Sequence, residues 1–289
     1  MFVAHCPALV DYVYVVDEFP RRGGHAIVRA FTKSAGGAGA NVAHNIATLG
    51  VDAKIVTAIG RDGDAEFFIA NTAAEVEAEV YDRTGRVHVI VDSEGERTFL
   101  VEPNAAANPP MKKIVADYIY FDPFPSERSL EVQTEVARIS RGFKILNPGF
   151  PYASLGLEKL KPMLEVVDML ILSSEELAEL GGKEKVAGLV DYLVVTLGAK
   201  GSRVVCDEGE FFAEAYPARV VDTTGAGDAF AAGFLYGFMN SLPLETCLKL
   251  GNFCGAYNVS RLGARNFPSR EEVEVFLTKI LYGENNAET

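Results

Sequence analysis

"VVDTTGAGDAFAAGFLYGF", residues 220–238, decides how the rest of the chain is read. A short apolar run stops at Asp222, spells Thr-Thr-Gly-Ala-Gly-Asp, and turns at once into an apolar helical pattern. The first amides of a helix have no partner inside it, and the helix dipole adds partial positive charge there. Gly225, Ala226 and Gly227 carry almost no side chain, so a phosphoryl group can approach those amides closely. Asp228 is an odd companion for an anion site unless it serves the anion's reaction partner. Once ionised, it can take the proton of a hydroxyl whose oxygen attacks phosphorus above the amides. The dipole is expected to keep that acid charged with ease. The plainer alternative is an N-cap with an acidic first turn, but capping needs one polar residue and no Gly-Ala-Gly.

Outward from this stretch, strand and helix periodicities alternate. "DAKIVTAIG" (52–60), "DYIYF" (117–121), "FKILN" (143–147), "DMLIL" (168–172) and "YLVVT" (192–196) are short apolar runs of the buried parallel type. Helical patterns cover 41–49, 64–78, 127–141, 154–165 and 174–180, then 226–240, 244–261 and 269–281. The alternation predicts right-handed βαβ units and an α/β fold, a mostly parallel central sheet with helices on both faces. Residues 10–32 and the hairpin 86–102, with its turn at Ser93–Glu96, break the rhythm and are expected to form a small separate sheet. A further hairpin at 202–216 leads into the opening motif, and the polar tail "GENNAET" is expected to fray.

A chain of 289 residues holds one large domain or two small ones. A net charge of −13 argues against nucleic-acid and anionic-membrane partners, which need basic patches, but not against a small anion held by local dipoles. No run approaches the roughly 20 apolar residues of a membrane span, and the N-terminus lacks the basic start of a signal peptide. The four cysteines form no C-x-x-C; Cys247 and Cys254, seven apart on a helix, read as small buried hydrophobes. The four histidines lack ligand spacing and read as structural. A cytoplasmic protein of enzyme size is expected.

A second glycine cluster, "SAGGAGANVAHNIATLG" (34–50), also opens a helix, with Val42, Ile46 and Leu49 on one face. It lacks the third glycine of a dinucleotide fingerprint, and "VRAFTKSA" before it is a poor buried strand. No P-loop sequence occurs. "GGAGANVA" and "DTTGAGDAF", in this order and at this separation, resemble the paired signatures of the ribokinase-like (PfkB) family of carbohydrate and nucleoside kinases. The resemblance runs from about the first strand to the last helix. It implies one kinase domain over residues 1–289, with a β-sheet lid built from about 10–33 and 86–104, and ATP with Mg²⁺ as donor.

Residue by residue, the resemblance makes Asp228 the catalytic base and the amides of Gly225, Ala226 and Gly227 the anion hole. Gly36 and Gly37 match the di-glycine hinge under the lid, and Asn41 a polar substrate contact; Ala38 stands where many members carry a basic residue. Asp11 matches an acid on the first strand that grips two substrate hydroxyls, against the alternative of a solvated strand end. Arg97, on the lid hairpin, reads as an exposed strand charge rather than an anion contact. In "LILSSEELAEL" (170–180), Glu176 matches a residue that organises Mg²⁺ through water, although Ser173 replaces the family's Asn; the alternative is an ordinary early-helix acid. Thr196 and Gly198 in "VVTLGAKGS" are placed beside the nucleotide phosphates. Asn252 is placed near the adenine. Some members hold a monovalent cation such as K⁺ beside the Asp-Thr-x loop, where Asp222 would contribute.

The acceptor stays open. "NPGFPY" (147–152) offers Asn147 and otherwise mostly apolar groups, which disfavours a phosphorylated sugar and leaves an unphosphorylated sugar, or a nucleoside stacked on Phe150 or Tyr152. A non-catalytic binding protein of the same fold is the alternative from another class. Exposed lid edges suggest a homodimer.

Overall fold

The computed structural model describes residues 1–283; residues 284–289, most of the tail expected to fray, lie outside the described residues. The chain runs β1 (Phe2–His5), β2 (Leu9–Val16), β3 (Val28–Gly36), α1 (Ala38–Thr48), β4 (Ala53–Ile59), α2 (Gly63–Ala70), β5 (Glu75–Val80), β6 (Gly85–Val91) and β7 (Arg97–Glu102). It continues β8 (Val115–Phe121), α3 (Ser129–Ile139), β9 (Arg141–Leu146), α4 (Gly149–Ala153), α5 (Leu157–Leu164), β10 (Met169–Ser173), α6 (Ser174–Glu179), α7 (Lys183–Val186) and β11 (Tyr192–Thr196). The hairpin β12 (Ser202–Cys206) and β13 (Gly209–Ala213) precedes α8 (Ala226–Met239), α9 (Leu244–Val259) and α10 (Arg270–Tyr282).

Nine strands form the large sheet in the order β13-β12-β11-β10-β9-β8-β1-β4-β5. All its pairings are parallel except those of the β12–β13 hairpin. Strand alternation divides the core. Phe2, Ala4 and Cys6 join Ile46, Phe68 and Phe234 on one face, while Val3 joins Ile119, Phe121, Val136 and Leu160 on the other. Strands buried on both faces need continuous apolar runs, which is why they were readable. Helices α8 and α9 approach closely because glycines oppose cysteines. A Cβ on Gly233 would stand 2.7 Å from Cys254 Sγ, and one on Gly237 would stand 3.1 Å from Cys247 Sγ. Both cysteines are buried and free, as small core groups.

The smaller sheet has the order β3-β2-β6-β7, with β2 and β6 parallel and both outer pairs antiparallel. The poor buried strand "VRAFTKSA" is its β3, mostly exposed. Register puts Asp11, Val13, Val89, Phe99 and Arg97 on one face, and Tyr12, Tyr14, Lys33 and His88 on the other. At its root, Asp64 on α2 accepts from three of its four strands: Tyr12 Oη at 2.5 Å, Lys33 Nζ at 2.6 Å and Arg86 Nε at 2.5 Å.

Three expectations are corrected. Residues 64–78 are not one helix: α2 ends at Ala70, and Glu75–Val80 is the edge strand of the large sheet. Asp11 lies on the second strand, in the small sheet, rather than on the first. Within "NPGFPY", α4 buries Tyr152, whose hydroxyl donates to Gln133 Oε1 at 2.6 Å and pairs with Ser129 Oγ at 2.5 Å, so its ring belongs to the core and is no stacking platform.

Candidate active site

The opening motif folds around Gly225, the N-cap of α8, in a left-handed conformation at φ 77°. A Cβ there would stand 2.3 Å from Ala264 O, so only glycine lets this turn sit against the 260–268 loop. Asp228 follows in the first helical turn. The Ala226 amide donates to Thr223 O at 3.2 Å and is already engaged, whereas nothing lies within 4 Å of a Cβ position on Gly227.

Two groups of expected residues come together on either side of this helix start. Thr196, Gly198, Ala226, Gly227 and Asn252 line one cavity of about 670 Å³, a volume that suits a nucleotide. Asn252 spends its amide nitrogen on the carbonyls of Ala213 and Glu214, 3.0 Å away in each case. The other group is Asp11, Gly36, Asn41 and Asp228. A Cβ on Gly36 would fall 2.3 Å from Asp11 Oδ2, so the absent side chain is the space the carboxylate occupies. Gly37 caps α1, and Asn41 in that helix donates through Nδ2 to Asp228 Oδ2 at 2.8 Å. Asn41 is therefore bonded to the acid itself.

Burial dominates the charges here. The Asp228 carboxyl is pushed up to about 6 by desolvation, against the Asn41 hydrogen bond and the Arg265 charge. Asp11 is also raised to about 6, by burial first, with Arg265 opposing and Asp228 adding to the rise. The expectation that the helix dipole holds Asp228 charged with ease is thus corrected: loss of water outweighs it. Asp122, just past β8 and against α1, is buried and driven to about 8, chiefly by desolvation, with Asp228 and Glu176 adding to it.

Glu176 sits in a capping box: its Oε2 accepts from the Ser173 amide at 2.8 Å, and Ser173 Oγ accepts from the Glu176 amide at 3.1 Å. Asp222 is buried and committed. Oδ1 accepts from the Thr224 amide at 2.8 Å and from Arg97 Nη2 at 2.5 Å, and Oδ2 accepts from the Gly263 amide at 2.9 Å. Burial works against its charge, yet these donors hold it below the ordinary carboxylate range. Arg97 also donates to Thr224 Oγ1. Arg97 is consequently no free strand charge, a further correction: it ties the small sheet to the glycine motif.

Arg265 and Asp122 were missed. Arg265 donates through Nε to Asn41 Oδ1 at 2.8 Å and through Nη1 to Asn71 O at 2.6 Å. Neither residue belongs to a recognisable pattern in the sequence. A helix start opened by glycines, a nucleotide-sized cavity and buried carboxyls lie together, an arrangement able to serve phosphoryl transfer.

The pfkB carbohydrate kinase family model matches residues 2–271, and the chain belongs to that family. It is a phosphotransferase with the ribokinase fold. An ATP-dependent ribose-1-phosphate kinase of Halopiger xanaduensis is 30% identical over 93% of this chain and 95% of its own. The crystal structure of the Methanocaldococcus jannaschii nucleoside kinase superposes with a TM-score of 0.84 at 23% identity, covering 96% of this chain and 98% of that one. The Thermotoga maritima ribokinase gives a TM-score of 0.84 at 25% identity, over 96% and 99%. Among the described residues no helix is long and apolar enough to cross a membrane.

Proposed function

We propose that the chain transfers the γ-phosphoryl group of ATP to the hydroxymethyl group of a small sugar, with Asp228 as general base and the Gly225–Gly227 turn as anion hole, the Ala226 amide having first to leave Thr223 O. The start of α8 carries this reading. Ala226 and Gly227 border the 670 Å³ cavity, while Asp228, next in the chain, is bonded to Asn41 and its charge reaches Asp11. A base held near 6 is ionised at neutral pH yet still basic enough to take a proton as the oxygen attacks. Gly227, with open space above it, is the foremost amide for the migrating phosphoryl.

The named relatives act on ribose-1-phosphate, a nucleoside and, by the name ribokinase, ribose. A ribosyl group with a free primary hydroxyl is what these share, and it is the acceptor we favour, its secondary hydroxyls donating to Asp11. The second reading, a nucleoside, is supported by Val13, Val89 and Phe99, which share the sheet face of Asp11 and could cover a base.

Mg²⁺ supplies charge neutralisation on the phosphates when bound with ATP. Glu176 suits a water-mediated hold on it, because only its Oε2 is spent on the capping box. A monovalent cation does not fit at Asp222, whose oxygens are engaged by two amides and by Arg97, so no step is assigned to one. In this reading residues 1–289 are one kinase domain working in the cytoplasm, where ATP is at hand. The small sheet is a lid that excludes water, and two copies pair through it.

ATP consumption measured with ribose, ribose-1-phosphate, fructose, adenosine, inosine and cytidine tests the reading. Turnover is expected with ribose or a riboside. Asp228→Asn should lower it about 10²–10⁴-fold while acceptor binding persists. Full turnover in that variant would remove Asp228 from the mechanism.

A further inference from the structure

The 260–268 loop places an arginine where no part of the family signature calls for one. Asn258 Nδ2 pins this loop by donating to Ala264 O and Asn266 O, each at 3.2 Å. From it Arg265 reaches Asn41 in α1 and Asn71 and Thr72 beyond the end of α2, with Nη1 to Thr72 Oγ1 at 3.2 Å. A guanidinium only donates, so the Nε contact obliges Asn41 to present its carbonyl oxygen to Arg265. The Asn41 amide nitrogen is thereby turned to Asp228 Oδ2. Arg265 Nη2 is buried without a hydrogen-bond partner.

We propose that Arg265 is a positioning residue for phosphoryl transfer: it fixes the Asn41 amide so that Nδ2 holds Asp228 Oδ2, and it supplies the positive charge felt by both Asp11 and Asp228. This rests on the reading of Asp228 as base. The charge of Asp228 bears on Asp11 on β2, Asp122 after β8 and Tyr120 on β8, while the charge that bears on Asp228 is that of Arg265 on the loop. Arg265 is the cation of this group, and burial keeps the Tyr120 hydroxyl protonated. Burial brings the Arg265 guanidinium down to about 10, with Asp11, Asp228 and Cys6 opposing, so it stays charged at neutral pH. Removing it deletes the favourable charge, frees Asn41 to flip, and disfavours the ionised carboxylate.

The test is the pH profile of kcat/KM, which reports the free enzyme's essential base. In Arg265→Gln the acid limb should move up by about one pH unit, so that activity falls about tenfold on the acid side and recovers towards wild type at pH 9. Asn41→Ala removes the same link without touching Arg265's bonds to Asn71 and Thr72, and should move the limb in the same direction. It answers the question if the Gln variant fails to fold. Carbon-13 NMR titration of the Asp228 carboxyl in either folded variant should show the same upward displacement. An equal loss at every pH, or an unmoved Asp228 titration, overturns the role of Arg265. An Asp228→Asn enzyme with unaltered turnover overturns instead the reading on which it rests.

Discussion

At the scale of single residues, burial of the two carboxyls is opposed by the charge of Arg265 and, at Asp228, by the Asn41 hydrogen bond. Asp11 and Asp228 are both displaced to about 6, chiefly by burial, and the charge of Asp228 adds to the shift of Asp11. Both must be ionised to act, so kcat/KM should fall as pH drops through about 6 and level off above it. Initial rates between pH 5 and 8.5 check this, and a profile flat across that range would contradict it. Gly36 offers a second handle. Its missing Cβ is the room Asp11 occupies, so Gly36→Ala should displace that carboxylate and raise the acceptor KM at least about tenfold, the scale of one lost charged hydrogen bond. ATP binding, measured by calorimetry, should change little, because the 670 Å³ cavity lies elsewhere. Asp228 was legible because an acid in the first turn of a helix opened by glycines leaves a local signature, whereas Gly36 and Asn41 came only through the resemblance. Arg265 was not legible. Its partner Asn41 is 224 residues away, and nothing in "LGARNFP" marks the loop as turned inward.

At the scale of elements, the small sheet is held at two ends by ion pairs of unlike character. At the root, burial works against the charge of Asp64, but Lys33, Tyr12 and Arg86 overcome it and hold the carboxyl low. Asp64 has 4% of its side chain exposed against 27% for each basic partner. Solvent therefore screens part of the attraction, and Asp64→Asn should cost about 1–3 kcal/mol rather than the 3–5 of a fully buried pair. Denaturant unfolding reads the cost, and hydrogen exchange should quicken in β2, β3 and β6 before the large sheet. At the tip, Arg97 neutralises Asp222. Arg97→Ala should free that end of the sheet and raise the acceptor KM. In the wild-type enzyme, exchanging Na⁺ for K⁺ should leave kcat unchanged, and a severalfold activation by K⁺ would show that Arg97 does not fill that place. The hairpin β6–β7 was readable from its turn, but the Arg97 contact was not, since strand periodicity says nothing about what lies opposite. Residues 64–78 misled for a related reason. "EVEAEV" alternates as an edge strand must, yet its Glu and Ala are strong helix formers, and pairing with β4 overrides them.

Across the whole molecule, what was legible follows how completely each sheet is buried. The inner strands of the large sheet are covered on both faces, so they had to be continuous apolar runs, and five strands of that sheet stand out in the sequence. The small sheet has one face turned to the site and leaves apolar groups uncovered: Phe99 is 57% exposed and Val101 49%, on the face that carries Asp11 and Arg97. Its outer strands β3 and β7 also present unpaired backbone edges, a standing invitation to pair. The acceptor can cover only part of that face, and pairing with a second copy of the same sheet would cover the remainder. The protein should therefore sediment as a dimer at micromolar concentration. Phe99→Glu sets a charge in the contact and should yield a monomer whose acceptor KM is raised, because the roof over the acceptor loses its backing. Sedimentation of the wild-type chain as a monomer, at concentrations where turnover is normal, would mean that the lid works alone and that its apolar face is meant for the acceptor.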